Sequence, residues 1–194
     1  ALKVMLQLLV DPRDELQLGE IIPVGDLWDV VAARDEPFAQ EMRAVFERAK
    51  RLYRTRLRPM LLNEHGLDDD VDPTDARWTA FRTDDRLIKT VLLAALVPEV
   101  EAFRNLDAAR LVALNWGAIT SPIPGRETQI VANKLRTWSS VVGELKVGDD
   151  PTNPTVTIAL VDVDPDEVIR RAAEAFDNVG SRRRALRALI DAAL

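Results

Sequence analysis

Residues 83–100 read TDDRLIKTVLLAALVPEV, residues 121–142 read SPIPGRETQIVANKLRTWSSVV, and residues 144–163 read ELKVGDDPTNPTVTIALVDV. Together these stretches decide the fold. In the first, Leu87, Ile88, Val91, Leu92, Ala95 and Leu96 recur at helical spacing, and Pro98 stops the pattern. Thr83, Asp84 and Asp85 supply candidate caps at its start. Leu106 and Asp107 then offer a staple and an N-cap for a short second helix, with Leu111 at the matching apolar position. The turn Ser121-Pro122-Ile123-Pro124-Gly125 precedes a third helix from Arg126 to Val142, whose apolar stripe is Val131, Leu135, Trp138 and Val142. Leu145 and Val147, then Val156, Ile158 and Leu160, repeat with period two on either side of a Pro-rich loop. Helix, helix, turn, helix, hairpin is the order of a winged helix-turn-helix.

Upstream, Leu2, Met5, Leu6 and Leu9 suggest a helix that ends at Asp11-Pro12. Pro23-Val24-Gly25 reads as a turn, with Asp26 as N-cap of a short helix from Leu27. A long helix follows Asp35-Glu36-Pro37, with Phe38, Met42, Val45, Phe46, Ala49, Leu52, Tyr53 and Leu57 inward. Pro59 should kink or end it, and Gly66 should cap it. Its outer face is basic, and Arg51, Arg54 and Arg58 are candidate contacts for nucleic acid or an acidic protein. The acidic stretch 67–75 reads as a linker, so the expected division is a helical region over 1–75, a winged-helix domain over 76–164 and a C-terminal helical extension over 165–194. The fold class expected is mainly α with a small β-hairpin.

Composition narrows the function. With no cysteine and one histidine, thiolate sites, Cys nucleophiles and ordinary zinc sites are hard to assemble. His65 has no evident partner cluster in the sequence and reads as a helix C-terminal residue. No Gly-x-x-x-x-Gly-Lys-Ser/Thr, Gly-x-Ser-x-Gly or His-Glu-x-x-His occurs. No catalytic, cofactor or metal residue is therefore assigned, and no cofactor is expected in this segment. No stretch approaches the ~20 apolar residues of a membrane span. The chain begins at Ala1 inside an amphipathic run, which suggests a segment of something longer.

Recognition remains. Arg126, Gln129, Asn133, Lys134 and Arg136 on the third helix have the chemistry to reach base edges or a protein surface. The net charge of −6, Glu127, Glu144 and the acidic hairpin tip Asp149-Asp150 oppose a phosphate backbone.

The stretches Ile21-Ile22-Pro23-Val24-Gly25-Asp26-Leu27-Trp28-Asp29, residues 86–99 (RLIKTVLLAALVPE) and Ser121-Pro122-Ile123-Pro124-Gly125-Arg126 resemble parts of the large bacterial phage-resistance ATPases of the Pgl and BREX systems. The resemblance implies ATP-dependent anti-phage defence in a bacterial cytoplasm, with the P-loop module elsewhere in the polypeptide. It implies as partners the remainder of that ATPase or other defence-system proteins; DNA stays a candidate partner through the third-helix residues above, not through the resemblance. No nucleotide-binding residue of the family has a counterpart here. The reading that follows is a non-catalytic helical and winged-helix segment. The alternative is a free-standing winged-helix transcriptional regulator that binds DNA.

Overall fold

A computed structural model of the chain describes residues 21–33, 42–68, 75–119, 121–160 and 180. The expected helix over 1–10, the start of the long helix, most of the acidic linker and the C-terminal helices lie outside the described residues. The chain divides into two compact units, Ala1–Leu160 and Val161–Leu194. All elements named below belong to the first.

That unit is mainly helical with a small two-stranded antiparallel sheet. A 3-10 turn (Val24–Asp26) leads into α1 (Leu27–Ala32). Next come α2 (Arg43–Leu52), a π-helical turn (Tyr53–Leu57) and α3 (Arg58–His65), which follow one another without a break. Then follow α4 (Ala76–Leu96), a 3-10 turn (Glu101–Phe103), α5 (Ala108–Leu114) and α6 (Glu127–Val141). Strands β1 (Leu145–Val147) and β2 (Val156–Ile158) close the order, with Leu145 opposite Ile158 and Val147 opposite Val156. No described helix is long and apolar enough to cross a membrane.

The core is one contiguous cluster threaded by α4. Trp28 and Phe46 from the N-terminal helices, Phe81, Ile88 and Leu92 from α4, Leu111 from α5, Val131, Leu135 and Trp138 from α6, and Val156 from β2 are all buried in it. The apolar stripe expected on the third helix is buried in full, Val142 included. The hairpin strands fall where period-two alternation puts them. The Asp107 cap also holds, its carboxylate accepting from the Arg110 amide at 2.7 Å.

Three local expectations change. Asp84 and Asp85 do not cap α4. The helix starts eight residues earlier, where the Asp75 carboxylate accepts from the Arg77 amide at 2.8 Å, and both acids lie buried in its interior. Asp26 is helical and caps nothing; its carboxylate accepts from Arg86 Nε at 2.8 Å instead. Pro59 does not end the long helix. Proline has no N–H for the residue four back, and the preceding π-turn widens the coil so that Arg58 N–H reaches Tyr53 O and the helix continues to His65. Gly66 then caps it in the left-handed conformation at φ 61°.

Candidate interaction face and the buried charge cluster behind it

Helix α6 turns about 100° per residue, so its sequence divides cleanly between a buried stripe and an opposite row. The exposed row is Arg126, Gln129, Asn133, Thr137 and Ser140. Three of the five contact residues expected on this helix, Arg126, Gln129 and Asn133, therefore stand together on its outer face. Arg136 is half-buried and reaches sideways. Its Nη2 donates to the Asp150 carbonyl at 2.7 Å and Nη1 to Asn133 Oδ1 at 3.4 Å, which ties the helix to the hairpin tip.

Lys134 goes the other way. It sits three residues after Val131 and four before Trp138, so helical geometry turns it towards the stripe rather than the row. Its Nζ lies 2.6 Å from Asp84 Oδ2, 3.9 Å from Glu64 Oε1 and 5.8 Å from the Trp138 ring centroid. Lys134 is thus committed to an internal ion pair. His65 Nε2 meets the same Asp84 oxygen at 2.8 Å, and its ring stands edge-on to Phe81. Trp138 Nε1 donates to Glu64 Oε2 at 2.6 Å. The lone histidine therefore has a partner cluster after all, assembled from residues 19 and 50 positions apart along the chain.

Asp84 is the pivot of this cluster. Its side chain is 1% exposed and its Oδ1 accepts no hydrogen bond. Burial pushes its carboxyl above the usual carboxylate range, against the opposing pull of Lys134 and His65. A carboxyl raised in the folded state binds its proton more tightly there than in the unfolded chain. Its contribution to stability is then greatest below the unfolded value and declines as pH rises towards the folded one. The expected result is that wild type gains stability relative to Asp84→Asn as pH falls from 7 to 4. Chemical denaturation at each pH checks this, with the pair repeated on a His65→Gln background to cancel the histidine's own protonation. A difference that stays flat, or grows with pH, contradicts it.

A second cluster lies one residue along. Tyr53 Oη donates to Asp85 Oδ1 at 2.6 Å, and Lys89 Nζ sits 2.6 Å from Asp85 Oδ2 and 2.7 Å from Asp29 Oδ1. Burial, joined by the Asp85 charge and opposed by Lys89, holds the Tyr53 hydroxyl well above the ordinary tyrosine range. Burial pulls Lys89 down, but Asp85, Tyr53 and Asp29 outweigh it and keep it charged. Further along α4, Arg86 pairs with Asp26, while Thr90 shares hydrogen bonds with the buried Asn115 of the turn after α5. Polar side chains of α4 thus point in several directions around the helix, Asp84 to α3 and α6, Asp85 and Lys89 to the π-turn and α1, and Arg86 to the 3-10 turn.

Among the described residues no group of His, Cys, Asp and Glu could hold a metal ion. Asp84 is engaged by Lys134 of α6 and His65 of α3, and Asp85 by Lys89 one turn further along α4. These contacts tie α4 to α1, α3 and α6.

The basic helix divides similarly. Arg51 and Arg54 are exposed, with no side-chain partner among the described residues. Arg58 is half-buried with its guanidinium 5.4 Å from the Phe81 ring centroid. Arg56 pairs with Glu144, which joins the basic segment to the start of β1. At the hairpin tip, Asp150 accepts from the Thr152 and Asn153 amides at 2.8 and 2.9 Å. Those bonds hold its carboxyl below the usual range, so the tip stays negatively charged.

No solved structure matches this chain. The family model described as the second domain of the BREX system ATPase PglY matches residues 1–151. That span takes in α1 to α6, β1 and the buried charge clusters described above, so the chain belongs to the family of BREX PglY ATPase second domains.

Proposed function

We propose that this chain is a non-catalytic module of a BREX ATPase in which residues 76–164 form a winged helix, residues 1–75 buttress it and residues 165–194 extend it. Its role is contact with other parts of the ATPase polypeptide or with other defence proteins in the bacterial cytoplasm. The winged-helix reading is supported by the order α4, α5, α6, β1, β2 and by the antiparallel bridge between Asp107 and Thr155. That bridge adds the short strand such folds carry between their first two helices.

One observation carries the choice of a protein contact over a DNA contact: Lys134 is withdrawn into the ion pair with Asp84. The outer row of α6 is left with Arg126 and neutral polar residues, beside a hairpin tip bearing Asp149 and Asp150. Phosphate contacts supply a large share of the affinity of a duplex binder, and their electrostatic part comes from Lys and Arg. The alternative, a free-standing DNA-binding regulator, draws on the same row, since Gln129 and Asn133 have the groups that pair with adenine.

The two readings separate in a duplex titration at low salt. The expected result is no saturable binding by the intact chain up to about 100 µM, the weak end of ordinary non-specific affinity. Salt-sensitive binding that Arg126→Ala weakens would establish the regulator instead. The same preparation should neither bind nor turn over ATP, and turnover that co-purifies with the chain through successive columns would overturn the non-catalytic reading.

A further inference from the structure

We propose that the open edge of β2 and the apolar groove beside it take an extended polypeptide strand from a partner, one that carries a carboxylate for Arg104. This goes beyond the reading above, because it uses a surface other than the outer row of α6 and stands or falls apart from it.

Among the described residues the edge is open, for a local reason. β2 pairs with β1 on one side, where Ala159 N–H donates to Glu144 O at 2.9 Å and Gly148 N–H to Thr155 O at 2.8 Å. Because successive residues of a strand direct their N–H and C=O groups to opposite sides, those of Val156 and Ile158 face away from β1. There Val156 N–H donates to Leu106 O and Ala108 N–H to Pro154 O, and the pairing then stops. It stops because Asn105 adopts a left-handed conformation at φ 51°, which turns the backbone off the edge. Arg104, which would continue the ladder, instead gives its carbonyl to the Arg110 side chain. Among the described residues, the N–H and C=O of Ile158 are left without a partner. The free stretch is bounded by Leu106, which takes the Val156 N–H, and by Arg48, which donates to the Leu160 carbonyl; the Ile158 donor and acceptor between them suit a short extended backbone.

The groove beside the edge has a volume of about 470 Å³ and is walled by Val91, Ala94, Ala95 and Pro98 of α4 and its end, by Phe103, and by Ile158 itself. A strand added to β2 sends alternate side chains into this apolar wall and the others to solvent. Arg104 stands at the mouth, exposed and with no side-chain partner among the described residues. A free guanidinium there selects a carboxylate on the incoming strand and disfavours a cation.

The test uses the intact chain and acetylated eight-residue peptides that alternate valine and threonine. One glutamate is placed at each solvent-facing position in turn, and a matching set carries lysine. Fluorescence anisotropy and amide hydrogen exchange are read together. The expected result is that one glutamate register binds at least about tenfold tighter than its lysine counterpart, as one charge-assisted bond implies. Arg104→Glu should invert that preference, and binding should slow exchange at the Ile158 amide while Ala159, already paired to β1, stays unchanged. A proline at the position facing Ile158 should abolish binding. If no peptide in either set binds, or the proline peptides bind as well, the proposal fails. If the Ile158 amide is already protected in the free chain and the protection grows with protein concentration, a second copy fills the edge and the proposal is likewise overturned.

Discussion

Trp138→Ala is expected to lower the unfolding free energy by about 3–5 kcal/mol, the usual range for emptying a large aromatic site in a closed core. Trp138 is 1% exposed and lies on the buried stripe of α6 with Val131 and Leu135. The substitution also removes the indole N–H that meets Glu64 and the ring face over which Lys134 lies. Both losses fall on the cluster that holds α6 against α3 and α4. Trp138→Phe keeps most of the volume and loses only the hydrogen bond, so its cost should be near 1–2 kcal/mol. Urea unfolding followed by far-ultraviolet circular dichroism measures both. A loss below about 1 kcal/mol for the alanine variant would mean that α6 is not anchored through this residue.

Gly25→Ala should be nearly as damaging for a different reason. A Cβ built on Gly25 meets the carbonyl oxygen of Arg86 at 2.2 Å and two further backbone atoms at 2.7 Å. Backbone cannot rotate aside as a side chain can, so the 3-10 turn must lift off α4. That motion would also pull Asp26 from Arg86 and the Gly25 amide from Asn115. A cost of about 3 kcal/mol is expected, the upper part of the range for forced overpacking. Gly143→Ala is the matching control: nothing lies within 4 Å of its added Cβ, and the change should stay within about 0.5 kcal/mol. Equal melting temperatures for the two variants would show that the close approach of the turn to α4 is not required.

The parts of this fold that could be read in the sequence are those written in a single short period. The stripe of α6 repeats at helical spacing over a continuous stretch, so Val131, Leu135, Trp138 and Val142 could be placed inward without knowing what covers them. The hairpin alternates with period two across a loop of Gly, Asp and Pro. Capping by Asp107 and Gly66 depends only on near neighbours. The buried charges of α4 could not be read this way. Asp84, Asp85 and Lys89 look like surface residues because an isolated charge belongs in water. They are buried only because Lys134, His65, Tyr53 and Asp29 arrive from elsewhere in the chain.

One signal was available and bears on the candidate face. Lys134 stands three residues from Val131 and four from Trp138, so a helical projection already puts it beside the stripe. Its side-chain chemistry matches that of Arg126, Gln129 and Asn133, but its direction on the helix does not. The consequence is more than local, since removing that lysine from the outer row takes away a cation that a duplex binder would need.

Contact between the outer row of α6 and protein is the central proposal, and a binding titration tests it most directly. The remainder of the parent ATPase polypeptide, expressed separately, would be titrated against the labelled 194-residue chain and against Arg126→Glu/Asn133→Glu. Both substituted residues are exposed, so the variant should keep the melting temperature of wild type. Saturable binding by wild type and at least about tenfold weaker binding by the variant are expected, the loss that follows when a like charge is placed in a contact. Equal binding by the two, or duplex binding in place of protein binding, would contradict it.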